Sequence, residues 1–302
     1  MSVTSLTSTA GKIQAVIRSP AMMLIRTILL CVATAGCGSS IGANDDANPG
    51  GDGHLPTDTG NNTTDGAPTT LTPGQSTINL TIGGRARTAI LYVPTIATTT
   101  SQLTIALHGN GDTDSNFLAT SGLKALADHD GTVLVVPQGI TRNVVVTLLN
   151  QTIPGIDWDA YNSAADGNID LPFLDQLRNQ IVATHQVDAN HVFVFGYSQG
   201  GYLSFEYGMV TGTSLSCAAV LAASSPFGGG SNDPLIAGAA RKLAVVLQIG
   251  TNDSAYAAAQ ATEATLLGDG FPSQLDPIQG AGHVPIPGDV SVPWNYCRGQ
   301  VL

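Results

Sequence analysis

The sequence predicts one α/β domain with a mostly parallel central sheet and helices on both faces, and two observations carry that reading. From about residue 77 onward, short runs of β-branched, leucine and aromatic residues alternate with helical stretches, and no second linker interrupts them. One of those runs, Val192-Phe-Val-Phe195, leads directly into Gly196-Tyr-Ser198-Gln-Gly200-Gly201. The stretch after it, Tyr202-Leu-Ser-Phe-Glu-Tyr207, lacks proline and reads as a buried helix.

The elements follow in order. Gln102-Leu-Thr-Ile-Ala-Leu107 is a buried-strand run, succeeded by a tight turn, His108-Gly-Asn-Gly111, and a helix near residues 115 to 127. A second apolar strand ends at Pro137, and a helix follows Asp170. Between them, residues 139 to 168 form a long segment with Val144, Val145, Val146, Leu148, Leu149, Ile153, Ile156, Trp158 and Tyr161. Loops of that length usually serve function. Trp158 and Tyr161 would then wall an apolar pocket, the alternative being a local hairpin packed on the domain. Lys242-Leu-Ala-Val-Val-Leu-Gln-Ile249 is a further strand, with Gly250-Thr-Asn-Asp253 after it and a helix over residues 254 to 267.

The junction at Ser198 is the most informative. A serine on a sharp, strained bend between strand and helix needs minimal side chains two residues before and after it, which Gly196 and Gly200 supply, and the helix aims its N-terminus at the hydroxyl. A hydroxyl nucleophile also needs a base and an acid to orient that base, and at such an elbow the chain order is Ser, Asp/Glu, His. Of the six histidines only His283 follows Ser198, within Gly280-Ala-Gly-His283-Val-Pro285. The acid should sit in the turn after an intervening strand, because strand ends in an open α/β sheet put their loops on one rim. Asp253 is placed there, and it also suits a helix N-cap. Asp233, Glu263, Asp269 and Asp276 fall in the same interval at less suitable places. For an oxyanion hole the backbone N–H groups of Asn110 and Gln199 are the candidates, with Gly111 the alternative to Asn110.

These motifs together resemble a known family. Leu107-His-Gly109, Val135-Val-Pro-Gln-Gly139, Asp170-x-x-Phe173-Leu174, His191-Val-Phe-Val-Phe-Gly-Tyr-Ser-Gln-Gly-Gly201, Ile249-Gly-Thr-Asn-Asp253 and Gly280-Ala-Gly-His283 are similar to the secreted polyhydroxybutyrate depolymerase and feruloyl-esterase group of α/β-hydrolases. The likeness runs over residues 77 to 290. It implies an α/β-hydrolase fold and an ester or polyester hydrolase using Ser198, Asp253 and His283. Asn110 stands where related enzymes often have Cys, and residues 141 to 162 depart from the family pattern, which leaves the exact ester open. The alternatives are a non-catalytic surface-binding lipoprotein on the same fold and a serine peptidase; a binding module has no reason to keep all three residues.

Composition bounds the compartment. The first 36 residues hold no Asp or Glu, and residues 27 to 36 are an apolar stretch behind Arg26, too short to span a bilayer. They read as a signal peptide, with translation starting at Met1, or at Met22 or Met23. Thr34-Ala-Gly-Cys37 resembles a lipoprotein cleavage box, with Cys37 the lipidated residue; a plain secretory signal is the alternative. Residues 37 to 75, rich in Gly, Asn, Asp, Thr and Pro, read as a disordered tether, and residues 76 to 302 as the catalytic domain. Losing the signal removes Lys12, Arg18 and Arg26 and no acid, so the formal charge moves from −11 to about −14. That disfavours nucleic acid and anionic polymers and leaves neutral esters. No glycine loop for phosphate and no paired His/Cys spacing for metal stands out, so neither cofactor nor metal is expected, and the protein is expected to be a monomer. Cys217 and Cys297 remain after processing, as a bridge or as two free thiols.

Overall fold

The computed structural model describes residues 72–146, 151–161, 167–185, 187–286 and 288–302. The leader, Cys37 and most of the tether lie outside them.

Eight strands form one sheet in the order β1-β2-β4-β3-β7-β8-β9-β10. They are β1 (Gly74–Ile82), β2 (Arg85–Val93), β3 (Leu103–Leu107), β4 (Val133–Pro137), β7 (Val192–Tyr197), β8 (Cys217–Leu221), β9 (Ala244–Gly250) and β10 (Ser273–Ile278). β1 and β2 pair antiparallel, as do β2 and β4; every later pairing across the sheet is parallel. The sheet is the α/β-hydrolase arrangement, and its central strands are buried on both faces, which is why they read as continuous apolar runs.

Alternation sorts the side chains of each strand. Leu103, Ile105 and Leu107 of β3, Val192 and Val194 of β7, and Val245, Leu247 and Ile249 of β9 enter one core. The opposite core takes Ala106, Phe193, Phe195, Ala244 and Val246. This is the two-residue period of a pleated strand covered above and below. Helices α3 (Asp170–His185), α4 (Gln199–Thr211), α5 (Pro234–Gly238) and α6 (Tyr256–Gly268) supply the first core, through Phe173, Leu203, Ile236 and Leu266. Helices α1 (Asp114–Thr120), α2 (Leu123–Asp130) and α7 (Ser291–Arg298) supply the second, through Phe117, Leu123 and Trp294.

Two local departures from the sequence reading have simple causes. The single helix expected near residues 115 to 127 is two, because Gly122 takes a left-handed conformation (φ 79°) between α1 and α2. The long segment after β4 is a hairpin of β5 (Ile140–Val146) and β6 (Gln151–Asp157), paired in register from Ile140 with Asp157 to Val146 with Gln151 and separate from the main sheet. Trp158, expected to line a pocket, is fully buried and donates its indole N–H to the carbonyl of His108 at 2.9 Å. It is a packing residue, because the β6 exit turns its ring toward the β3 turn and away from solvent. Tyr161 is the exposed aromatic of the pair and packs on Tyr202, ring centroids 5.8 Å apart.

A buried ion pair fixes the exit of this hairpin. Arg87 on β2 meets Asp170 at the start of α3 at 2.7 Å, both side chains fully buried, with the guanidinium 4.1 Å over the ring of Phe173. The second oxygen of Asp170 accepts the Asp159 N–H at 2.7 Å. A buried charge pair survives only when its remaining polar atoms find partners, and the segment after β6 provides one. An inner strand of the sheet is tied to a helix by a disulfide joining Cys217 on β8 to Cys297 on α7, of the two alternatives the bridge.

Candidate active site

Ser198 lies between β7 and α4 with φ 53° and ψ −118°, a conformation that L-residues adopt only under constraint. The constraint is close packing of backbone. A Cβ on Gly196 would lie 2.0 Å from the carbonyl oxygen of Gly200, and one on Gly200 would lie 2.4 Å from that of Leu107. The glycines two residues to either side of Ser198 are therefore a steric requirement of the bend. The Ser198 N–H is bonded to the carbonyl of Leu221 at 2.9 Å, which anchors the elbow to β8 and leaves the side chain half-exposed at the helix N-terminus.

The structure brings Ser198, His283 and Asp253 together. The serine hydroxyl is 2.9 Å from Nε2 of His283, and Nδ1 of the same ring is 2.8 Å from Oδ2 of Asp253. With the carboxylate on the Nδ1 side, Nδ1 carries the proton and Nε2 is left to accept from the serine. The Asp253 carboxylate is fully buried and the imidazole is 31% exposed, so one end of the chain is shielded and the other faces the substrate side. The other oxygen of Asp253 accepts the N–H of Ala255 at 2.9 Å. The alternative helix-cap role is not borne out: α6 begins at Tyr256 with Ala255 as its N-cap and no side-chain capping bond, so the Asp253 bond to Ala255 orders the turn ahead of the helix. Asp233, by contrast, caps α5 and binds the Ser225 hydroxyl, away from His283.

Around the serine the turn after β3 is arranged by side chains that short motifs do not reveal. Of the two oxyanion candidates in this turn, the Gly111 N–H is engaged by the carbonyl of Ile156 at 2.9 Å. The Asn110 amide donates to Asp157 at 3.2 Å and to the Gln199 side chain at 3.4 Å, and the same Gln199 oxygen accepts the Trp158 N–H at 3.2 Å. Three chain segments, from β3, β6 and the elbow, thereby share one small polar cluster. The ring of His108 closes it from below: Nδ1 donates to the Gly109 carbonyl at 2.8 Å and Nε2 accepts the Gly139 N–H at 3.0 Å. Burial holds the imidazole of His108 below the ordinary histidine range, which keeps it neutral in that role. Tyr202, one turn into α4, has its phenol pushed up to about 12 by burial, with the Asp253 charge adding to the effect. Among the described residues no group of three or more His, Cys, Asp or Glu is arranged to hold a metal ion.

A serine at such an elbow, on this sheet, defines an α/β-hydrolase. The chain belongs to the phospholipase/carboxylesterase family, whose match covers residues 90–264. A bifunctional acetylxylan esterase/xylanase from Neocallimastix patriciarum is 27% identical over 123 residues; the match covers 40% of this chain and 16% of that much longer protein. Among solved structures, a ferulic acid esterase aligns with a TM-score of 0.55 at 16% identity, over 75% of this chain and 98% of the other. The poly(3-hydroxybutyrate) depolymerase LpqC from Bordetella parapertussis aligns with a TM-score of 0.54 at 16% identity, over 74% and 95%. At those identities the structural likeness is one of fold.

Proposed function

We propose that the protein is an exported serine esterase that cleaves an ester of a neutral polymer, either a polyhydroxybutyrate-like polyester or a feruloyl or acetyl ester of a polysaccharide. The observation that carries the mechanism is the unbroken run of hydrogen bonds from Ser198 through His283 to the buried Asp253. Ser198 Oγ attacks the ester carbonyl while His283 Nε2 takes its proton; the carbonyl electron pair moves to oxygen, where the N–H groups of Asn110 and Gln199 receive it. Collapse breaks the bond to the alcohol, which leaves with the proton held by His283, and Ser198 is acylated. Water then repeats the sequence, giving its proton to His283, and releases the carboxylic acid and the free serine.

Four features support export and the substrate class. The N-terminal apolar stretch and the Thr34-Ala-Gly-Cys37 box suit an exported lipoprotein held at a membrane by a lipid on Cys37, and the Cys217–Cys297 disulfide suits an oxidising compartment. The acidic balance suits a neutral substrate. The names of the aligned proteins, ferulic acid esterase and poly(3-hydroxybutyrate) depolymerase, point to esters of aromatic acids and polyesters.

A fluorophosphonate probe tests the centre of this reading, because only a base-activated serine at an open elbow reacts quickly with that electrophile. Mass spectrometry should find the label on Ser198. Equal labelling of wild type and Ser198→Ala would remove the claim. A panel of aryl esters, polyhydroxyalkanoate, feruloylated sugars and peptides then separates the substrate classes. Detergent partition of wild type and Cys37→Ser tests the anchor.

A further inference from the structure

Tyr197 sits immediately before the nucleophile, and its ring touches two different parts of the site at once. On one side it lies against the β3 turn: a Cβ built on Gly109 would be 2.9 Å from Cδ1 and 3.0 Å from Cε1 of Tyr197. It also meets the imidazole of His283, with ring centroids 5.7 Å apart and planes inclined by 34°. Behind it the ring packs on the core that contains Phe195 and Trp294. A glycine at 109 is what lets the aromatic ring occupy this place, and backbone on one face with core behind leaves it little freedom to move.

The aromatic face is negative, and it attracts a cation lying within about 6 Å of the ring centroid. In the acyl-enzyme reading His283 is neutral in the resting site and cationic in each transition state, when it holds the serine or water proton. We propose that Tyr197 is a positioning residue whose ring face holds the His283 imidazole over Ser198 and favours its cationic form as the proton arrives. Among the described residues, the side chains that meet His283 directly are Asp253 at Nδ1, Ser198 at Nε2 and Tyr197 at the ring, while Tyr202 lies near Asp253 from α4. Asp253 supplies charge along the ring plane. Tyr197 acts through the π-face, a direction that Asp253 does not reach.

The inference rests on the acyl-enzyme reading but is tested separately from it. Tyr197→Phe keeps the face and the shape, and mono-, di- and trifluorinated phenylalanine at the same position weakens the face in steps while preserving the fold. Two readouts are taken: the NMR titration midpoint of the His283 ring, which needs no turnover, and kcat/KM against pH for a small ester. Tyr197→Phe should titrate like wild type, and progressive fluorination should move the His283 midpoint down by about half a pH unit in total. The acid limb of kcat/KM should move by the same amount while the plateau falls about three-fold. A midpoint that stays put across the fluorinated series overturns the inference, as does a shift in Tyr197→Phe equal to that of the most fluorinated variant. If the midpoint moves as expected but neither wild type nor any variant turns over ester or takes the fluorophosphonate, it is the acyl-enzyme reading that fails.

Discussion

The N–H of Asn252 donates to the carbonyl oxygen of Ala281 at 2.9 Å, and this bond joins the turn that carries Asp253 to the loop that carries His283. Two more contacts tie the same pair of segments: the Asn252 amide to the Gly280 carbonyl at 3.0 Å, and the Gly280 N–H to the Thr251 hydroxyl at 2.9 Å. The short distance between Asp253 and His283 is therefore set by contacts one to three residues along the chain from either side chain.

Gly250 is where that coupling is tightest. A Cβ there would lie 2.2 Å from the Ala281 carbonyl oxygen and 2.7 Å from that of Gly282, both backbone atoms just before His283. Gly250→Ala must push the His283 loop outward. A displacement of about 1 Å at reacting groups costs on the order of 10²-fold in rate, so kcat for a small ester should fall by about that factor with the far-ultraviolet spectrum intact. Gly268→Ala, where an added Cβ meets nothing within 4 Å, is the control and should keep full activity. Comparable rates for the two variants would refute the coupling.

Ser198→Ala and His283→Ala should each lower kcat by roughly 10⁴-fold or more, and the double variant should lose little beyond either alone, because the groups act on the same proton. Losses that multiply would show that the residues work independently. Steady-state kinetics on an aryl ester, with protein checked for residual contamination by wild type, decides it.

What could be read from the chain alone was whatever is written locally. The β3, β7 and β9 strands are continuous apolar runs, and Ser198, Asp253 and His283 each occupy a short motif placed by chain order. What escaped depends on contacts between segments far apart in sequence. Nothing near Arg87 marks Asp170 as its partner, and nothing near Asp157 ties it to Asn110 and Gln199. An apolar run of valine, leucine and isoleucine in the sequence reads equally well as pocket wall or packed ribbon, because hydrophobicity names the tendency to bury and not the surface that does the burying. Tyr197 carries no signal in the elbow pattern, which leaves its position variable.

Trp158 illustrates the consequence. Its ring is fully buried, 4.9 Å from the ring of His108, with the indole N–H bonded to the His108 carbonyl. Trp158→Ala should destabilise the fold by about 3–5 kcal/mol, as buried large-to-small changes do. It should lower activity on bulky and small esters to a similar degree. Selective loss on the bulky ester at unchanged melting temperature would restore the pocket-wall role.

His108 gives the pH dependence its sign. Burial lowers its folded-state pKa below the ordinary 6.5, so the unfolded chain binds the proton more readily than the folded one. The stabilisation from the neutral ring is fully present above about pH 6.5 and is lost progressively as pH falls toward the lowered folded value. Protonation would also replace the acceptor at Nε2, which receives the Gly139 N–H, with a second donor facing that donor. Urea melts should therefore show stability falling between pH 7 and pH 5. In His108→Gln, which keeps polar atoms near both contacts but cannot titrate, the slope over that interval should be shallower, though the starting stability at pH 7 will be lower. Parallel slopes for the two proteins would assign the acid loss to other groups and leave the neutral His108 ring without a measurable role in it.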